Sequence, residues 1–308
     1  RLVARAPRRR GSLSAMTQPP SRPVANDLVH ATCPLCGGAD LVDLGPLTGP
    51  RTTQFSSMTI TLEHQPTLGQ CAACGSRFVQ HAIPAKASAA LYTEGNAGAR
   101  WTSHRAWERM HAPTVVARLG ALTLPGSSLL DVGCNTGELL DFARARGAVT
   151  AGVEYSAESR RRVAQKGHTV FASTDEVRGT FDVVTAFDLF EHLYDTAGFL
   201  ARTRELLTPG GRLVVLTGDI DCAEARRDGA AWWYVQPPEH VVFPSRNYWA
   251  SVQGFDVESV AATHNGPAPK TGFVAAVGAR LGRLVGRKPR PLPVLDHVIV
   301  TLSRSKNT

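Results

Sequence analysis

LLDVGCNTGELLDFARARG, residues 129–147, is the stretch that decides the fold. Leu129 and Leu130 close an apolar run that follows Pro125-Gly126. From Glu138 the apolar spacing becomes helical, with Leu139, Leu140 and Ala143 on one side, and Gly147 follows as a stop. A strand that passes into a helix across a glycine-bearing loop is a common nucleotide holder. The glycines here, Gly133 and Gly137, are spaced G-x-x-x-G. A dinucleotide loop requires G-x-G-x-x-G, and a P-loop requires a lysine after the last glycine, so both are excluded.

Asp131 falls where this strand should end. A carboxylate there repels a pyrophosphate, which binds to bare N–H groups at the positive end of a helix. It suits a ligand with a cationic amine, and S-adenosylmethionine carries both an ammonium and a sulfonium. Small loop residues let the backbone approach such a ligand. The spacing alone leaves an ordinary tight turn equally open, so the neighbouring segments must decide.

Outward from this stretch the pattern alternates. SSLLDVG, AVTAGVE, HTVFA, FDVVTAF and RLVVLTG read as strands. ELLDFARAR, AESRRRVAQK (ended by Gly167) and TAGFLARTRELL (ended by Pro209-Gly210-Gly211) read as helices. GFDVESVAATH and HVIVTLSR supply two last strands. The alternation predicts an α/β domain with a parallel, doubly wound sheet. Residues 219–244, which contain AAWWYVQPPEHVVFPS, break the pattern as a long loop of the kind that often carries function. Ser245 caps a helix running to Val252. TGFVAAVGARLGRLVGRK, residues 271–288, reads as a basic amphipathic helix. A solvated surface helix, contact with an anionic membrane surface and a lid all remain open for it.

The six cysteines stand at 33, 36, 71, 74, 134 and 222. Cys33-Pro-Leu-Cys36-Gly and Cys71-Ala-Ala-Cys74-Gly form two C-x-x-C-G units separated by 34 residues, the pattern of a zinc ribbon. Four thiolates fill a tetrahedral zinc and leave no open position, so this metal is structural. Cys134 and Cys222 read as small single side chains. The expected organisation is a disordered arm over 1–29, a zinc-binding module over 30–85, a helical lead-in over 86–125 and the α/β domain over 126–308.

The 308 residues, 43% of them hydrophobic, allow one large or two modest domains with a real core. Of the net charge of +8, residues 1–15 supply +5 and residues 270–308 supply +7, so the stretch between carries −4. An acidic body does not favour a nucleic-acid partner. Residues 1–15 lack the apolar core of a signal peptide, and Met16 is expected to be the natural start. No apolar run reaches the roughly 20 residues of a membrane span, so the expected location is cytoplasmic.

Taken in order, LLDVGCNTG, VEYS, FDVVTAFDLFEHL and LLTPGGRLVVLTG resemble class I S-adenosylmethionine-dependent methyltransferases over about residues 128–304. The double C-x-x-C-G and the PEH of the long loop are similar to the subgroup that includes nucleotide-sugar C-methyltransferases. Pro237 stands where those enzymes tend to carry a tyrosine. The resemblance implies a Rossmann-like sheet, with the ligand at the carboxyl ends of its strands. It places Asp131, Gly133, Asn135, Thr136 and Gly137 near the methionyl part of the cofactor. Glu154, 23 residues after Asp131, would accept both ribose hydroxyls, and Tyr155 would pack on the adenine. Phe187 and Asp188 would border the methionine and the acceptor, and Ser173 and Thr174 would face the adenine.

Methyl transfer needs an aligned nucleophile, and a hydroxyl or a carbon beside a carbonyl must also lose a proton. Histidine suits that task. His192 in LFEHL and Glu239-His240 in PPEH are the candidates, with Tyr92 reaching in from the lead-in segment. Trp232, Trp233 and Tyr234 form either an aromatic wall for a sugar or packing for the loop. The expected acceptor is a small molecule, a sugar or nucleotide sugar, methylated at carbon or oxygen. A zinc-containing rRNA methyltransferase and a non-enzymatic module with a degenerate cofactor site are the alternatives.

Overall fold

The computed structural model describes residues 22–55, 58–94, 113–263 and 295–305. The arm up to residue 21, the middle of the lead-in segment and the basic stretch 271–288 lie outside the described residues.

Near the N-terminus, β1 (Arg22–Val24), β3 (Thr52–Phe55) and β4 (Met58–Leu62) form a three-stranded sheet in the order β1-β4-β3. The cysteine-bearing segments lie on a second sheet, built on β2 (Leu41–Pro46), β5 (Thr67–Cys71) and β6 (Arg77–Gln80). α1 (Ala85–Glu94) follows, and α2 (Pro113–Leu122) leads into the main domain.

The main domain begins at β7 (Ser128–Val132), followed by α3 (Glu138–Arg144), β8 (Val149–Val153), α4 (Ala157–Gln165), β9 (Thr169–Phe171) and β10 (Phe181–Phe187). Next come α5 (Thr196–Leu206) and β11 (Leu207–Gly218). α6 (Ala223–Asp228), β12 (Val242–Phe243) and α7 (Arg246–Ala250) fill the stretch before β13 (Phe255–Thr263) and β14 (His297–Arg304). Seven of these strands make one sheet in the order β13-β14-β11-β10-β7-β8-β9. The five strands from β9 to β11 run parallel, and β14 enters antiparallel between β11 and β13. The fold is therefore the expected α/β doubly wound sheet. The chain order reverses direction at β7, so a crevice opens beyond the carboxyl ends of β7 and β10.

The sheet is stabilised by continuous apolar strands covered on both faces. Leu129, Leu130, Val184 and Leu213 to Leu216 are completely buried. Two segments differ from their sequence reading. The helix expected over residues 196–207 ends at Leu206, shortly before Pro209, which has no N–H to continue it. The chain instead pairs Leu207 with Phe181, and the register shifts before Val183 meets Arg212. The long stretch 219–244 is not a plain loop, since it holds α6, a short 3-10 turn at Gly229–Ala231 and β12.

β12 pairs antiparallel with β6, so the cysteine-bearing sheet is four-stranded in the order β12-β6-β5-β2. The N-terminal module thus takes a strand from the segment that follows β11. Ser245 secures this junction. Its Oγ caps α7 by accepting from Tyr248 N at 3.0 Å and donates to the carbonyl of Cys74, while its own N–H donates to Ser76 Oγ at 3.0 Å.

Asp182 ties three strands together. Its carboxylate accepts from Ser128 N at 2.8 Å, Ser128 Oγ at 2.9 Å and Thr208 Oγ1 at 3.2 Å. These donors, the Ser128 amide first, hold its pKa below the ordinary carboxylate value. A depressed folded-state pKa adds stability that is present above the unfolded value of about 3.9 and lost as pH falls through the folded value. Asp182→Asn is therefore expected to cost about 1–2 kcal/mol at pH 7, with the gap from wild type closing below about pH 4. Urea unfolding at a series of pH values measures it, and a gap independent of pH would contradict the assignment.

Candidate active site

The loop after β7 is shaped by backbone conformations that side chains resist. Gly133 and Gly137 have φ of 80° and 86°, and Asn135 has φ of 47°. Gly133 N donates to Val153 O at 2.8 Å, which folds the loop over the end of β8. Gly152 is required for close approach, since a Cβ there would lie 2.5 Å from the Cys134 Sγ. Cys134 is thus a small packed side chain under the loop. Thr136 is buried and its Oγ1 donates to Glu138 at the start of α3.

Glu154 lies just past β8 and turns back under the loop. Its Oε2 accepts from Asn135 N at 3.0 Å and its Oε1 from Ser156 N at 2.7 Å. Burial raises its pKa. Each carboxylate oxygen has a second lone pair, so both can still accept from a diol. Asp131 lies within β7 rather than at its end, is buried, and accepts from Thr185 Oγ1 at 2.7 Å across to β10. Tyr155 is exposed beside Glu154. Phe187 ends β10, and Asp188 follows with φ of 45°, its N–H donating to Leu216 O at 2.8 Å. The sequence-predicted cofactor residues therefore converge on the carboxyl ends of β7, β8 and β10. Ser173 and Thr174 enter a short turn after β9, where the Thr174 carbonyl accepts from Arg202.

A second cluster lies beyond the ends of β10 and β11. Glu191 is completely buried, and its carboxylate accepts from Tyr234 OH on one oxygen and from Thr217 Oγ1 at 2.9 Å on the other. Burial, and then the Glu191 charge, push the Tyr234 phenol well above its ordinary pKa, so it remains a donor. His192 and His240 meet edge to face with ring centroids 4.7 Å apart. His192 Nδ1 lies 2.8 Å from Glu239 O, and His240 Nδ1 lies 2.6 Å from Tyr234 O. A carbonyl only accepts, so each Nδ1 that bonds one carries a proton, and the Nε2 atoms face away from these carbonyls. Burial pushes His240 down to about 3, and the neighbouring His192 adds to this. Tyr92 OH, from α1, stands 3.0 Å from His192 Nδ1. Glu239 is buried beside His240, and its carbonyl is what orients His192. Of the aromatic trio, Trp232 is core, Tyr234 is buried on Glu191, and Trp233 remains 46% exposed.

The four cysteines of the N-terminal module also converge. Their sulfurs lie within 4.8 Å of one another, with Cys33 to Cys74 at 3.8 Å and Cys36 to Cys71 at 3.5 Å. Zn–S bonds of about 2.3 Å place tetrahedral sulfurs about 3.8 Å apart, so the set fits that ion. The two units fold alike. Gly37 N donates to Cys33 O at 2.9 Å and Gly75 N to Cys71 O at 2.8 Å, with φ of 76° and 77° at the glycines.

A family model described as a methyltransferase domain matches residues 104–260. The chain belongs to this family of S-adenosylmethionine-dependent methyltransferase domains. This methyltransferase is 36% identical over 104 residues to a ubiquinone biosynthesis O-methyltransferase of a Bradyrhizobium species, covering 30% of this chain and 41% of the relative. It is 31% identical over 105 residues to one of Pseudomonas paraeruginosa, covering 30% and 45%. The chain thus spans less than half the length of these curated relatives. Among solved structures it is similar to an S-adenosylmethionine dependent methyltransferase from Mesorhizobium loti (20% identity, 63% of this chain and 98% of that one, TM-score 0.42). It is also similar to magnesium protoporphyrin IX methyltransferase from Synechocystis with bound S-adenosylhomocysteine (17% identity, 62% and 81%, TM-score 0.42).

Sequence reasoning about this methyltransferase missed Glu191, Thr217 and Tyr234 as members of the second cluster. The signal for Glu191 was present, since Glu-His occurs twice, at 191–192 and 239–240. Thr217 and Tyr234 carried none, because their contacts join residues 26 and 43 positions away. Tyr234→Phe removes a donor from a buried carboxylate and is expected to lower unfolding free energy by about 2 kcal/mol. Denaturant titration measures it, and an unchanged midpoint would show that Glu191 does not depend on the phenol.

Proposed function

We propose that this chain transfers the methyl group of S-adenosylmethionine to a hydroxyl of a small molecule. The reading rests most on Glu154. Its carboxylate holds the Asn135 amide of the glycine loop and keeps acceptor capacity on both oxygens at the end of β8, where a ribose diol would lie. Asp131, Gly133, Asn135, Thr136 and Gly137 would line the methionyl part, Tyr155 the adenine, and Phe187 and Asp188 the border with the acceptor. Cofactor chemistry supplies the electrophilic methyl, and the protein aligns the nucleophile and excludes water.

The acceptor oxygen must lose a proton. The Nε2 atoms of His192 and His240 are the groups that meet its hydroxyl, with Tyr92 and Glu239 orienting His192. Oxygen is favoured over carbon because the curated relatives over the shared segment are named as O-methyltransferases. A sugar or nucleotide sugar is the proposed acceptor class, with the half-exposed Trp233 beside Tyr234 as a stacking face for a ring. An RNA acceptor is disfavoured. Arg77, the one cation of CAACGSRFVQ, is half-buried and donates to Gln70 Oε1 and Ala225 O.

The cysteine set is proposed to hold a structural zinc that keeps β12 and the segment before it in place. Fresh protein is expected to release one zinc per chain when titrated with a thiol reagent, and less than one would count against the site. Calorimetry with S-adenosylmethionine and S-adenosylhomocysteine tests the function itself. Micromolar binding is expected in wild type, weakened at least about tenfold by Glu154→Ala through loss of about 1.4 kcal/mol or more. Folded, zinc-loaded protein that binds neither compound would refute the reading.

A further inference from the structure

Glu191, His192 and His240 share a geometry that proton transfer alone does not require. One carboxylate oxygen and two ring nitrogens lie within 4.8 Å of one another, and His192 Nε2 is 3.9 Å from Glu191 Oε1. Both imidazoles have Nδ1 tied to a backbone carbonyl. His192 Nδ1 is tied to Glu239 O and His240 Nδ1 to Tyr234 O. A histidine whose far nitrogen is fixed on a carbonyl, with its near lone pair turned inward, is how metal-ligating imidazoles are held. The carboxylate is likewise held, by Tyr234 OH and Thr217 Oγ1, in the manner of an outer shell around a ligand. Both donors lie on elements that converge with the histidines, at the end of β11 and in the segment before β12.

We propose that Glu191, His192 and His240 form a binding site for a divalent first-row transition ion beyond the ends of β10 and β11. Two imidazoles and one carboxylate are borderline donors, which favour zinc, cobalt, nickel, iron or manganese over magnesium or calcium. Three ligands about 2.1 Å from one ion lie about 3.0–3.6 Å apart, so the set closes on one by a shift of about 1 Å. Three protein ligands leave open positions, in contrast to the closed cysteine site. The acceptor would occupy them, best through two adjacent hydroxyls, as on a sugar ring.

This site deepens the proposed methyl transfer and rests on it only for the identity of what binds. A hydroxyl on the ion becomes acidic enough to release its proton to water. Its oxygen then forms the new C–O bond to the methyl carbon as the C–S bond breaks. That electron pair stays on sulfur, and the products are a methyl ether, S-adenosylhomocysteine and one proton. His192 and His240 then act by holding the ion rather than by taking the proton.

The test is a titration of cobalt(II) alone into full-length protein whose four cysteines are already masked by zinc. One cobalt per chain is expected, with an absorption spectrum that lacks thiolate charge-transfer bands. Glu191→Gln and His192→Asn are each expected to weaken that binding about 10–100-fold. S-adenosylhomocysteine calorimetry and thermal unfolding of the same samples establish that the variants are folded. No cobalt beyond the cysteine site in wild type, or equal affinity in both variants, overturns the proposal. Cobalt binding without S-adenosylhomocysteine binding would keep the metal site and remove the methyl-transfer reading. The reverse result would remove the metal site and keep the methyl transfer.

Discussion

Two backbone hydrogen bonds at Val241 join the parts of this protein that chain order keeps apart. Val79 N, on β6, donates to Val241 O at 2.9 Å, and Val241 N donates to Glu191 O at 2.8 Å. One residue thus links the cysteine module, the segment bearing Glu239 and His240, and the turn bearing Glu191 and His192. A two-residue strand such as β12 has little stability of its own. Its position comes from β6, which pairs with β5 and follows it through the Cys71–Gly75 turn. The N-terminal module thereby holds the backbone to which both histidines are tied.

The division of labour follows the physics of each site. The loop after β7 needs backbone N–H groups and close approach, so it uses glycines, a left-handed Asn135 and a carboxylate that braces the loop from below. The second cluster needs side chains in one fixed protonation pattern, so it uses buried groups whose polar atoms are tied to carbonyls and hydroxyls. Burying Glu191 without Tyr234 and Thr217 would cost several kcal/mol, and with them the cluster becomes a rigid polar network. The aromatic packing serves this too. Tyr234 lies 4.5 Å from the His240 ring and 5.2 Å from that of His297, so the phenol cannot turn away from Glu191 without disturbing both.

Much of this was legible in the sequence. The central strands β7, β10, β11 and β14 are visible as apolar runs, because strands buried on both faces cannot alternate with polar residues, whereas the edge strand β13 carries exposed Asp256 and Glu258. The convergence of the two C-x-x-C-G units is legible because a tetrahedral thiolate set constrains both residue type and spacing. Glu154 is legible because the strand that carries it is. The rest depends on distant pairing. β12 has no sequence signal, since two residues show no period, and its partner β6 lies more than 160 positions earlier. The Ser245 cap could be read, but not its bond to the Cys74 carbonyl, which spans 171 positions. The Glu191 cluster stayed hidden for the same reason.

Hydrogen exchange at residues 234–243, compared with that at residues 129–154, measures the central claim that the cysteine module holds the segment bearing Glu239 and His240. Stripping zinc from otherwise folded protein is predicted to speed exchange of the Val241 amide and its neighbours, while amides of β7 and β8 stay protected. Equal protection of residues 234–243 with and without zinc would contradict it and would leave the module without a part in the chemistry.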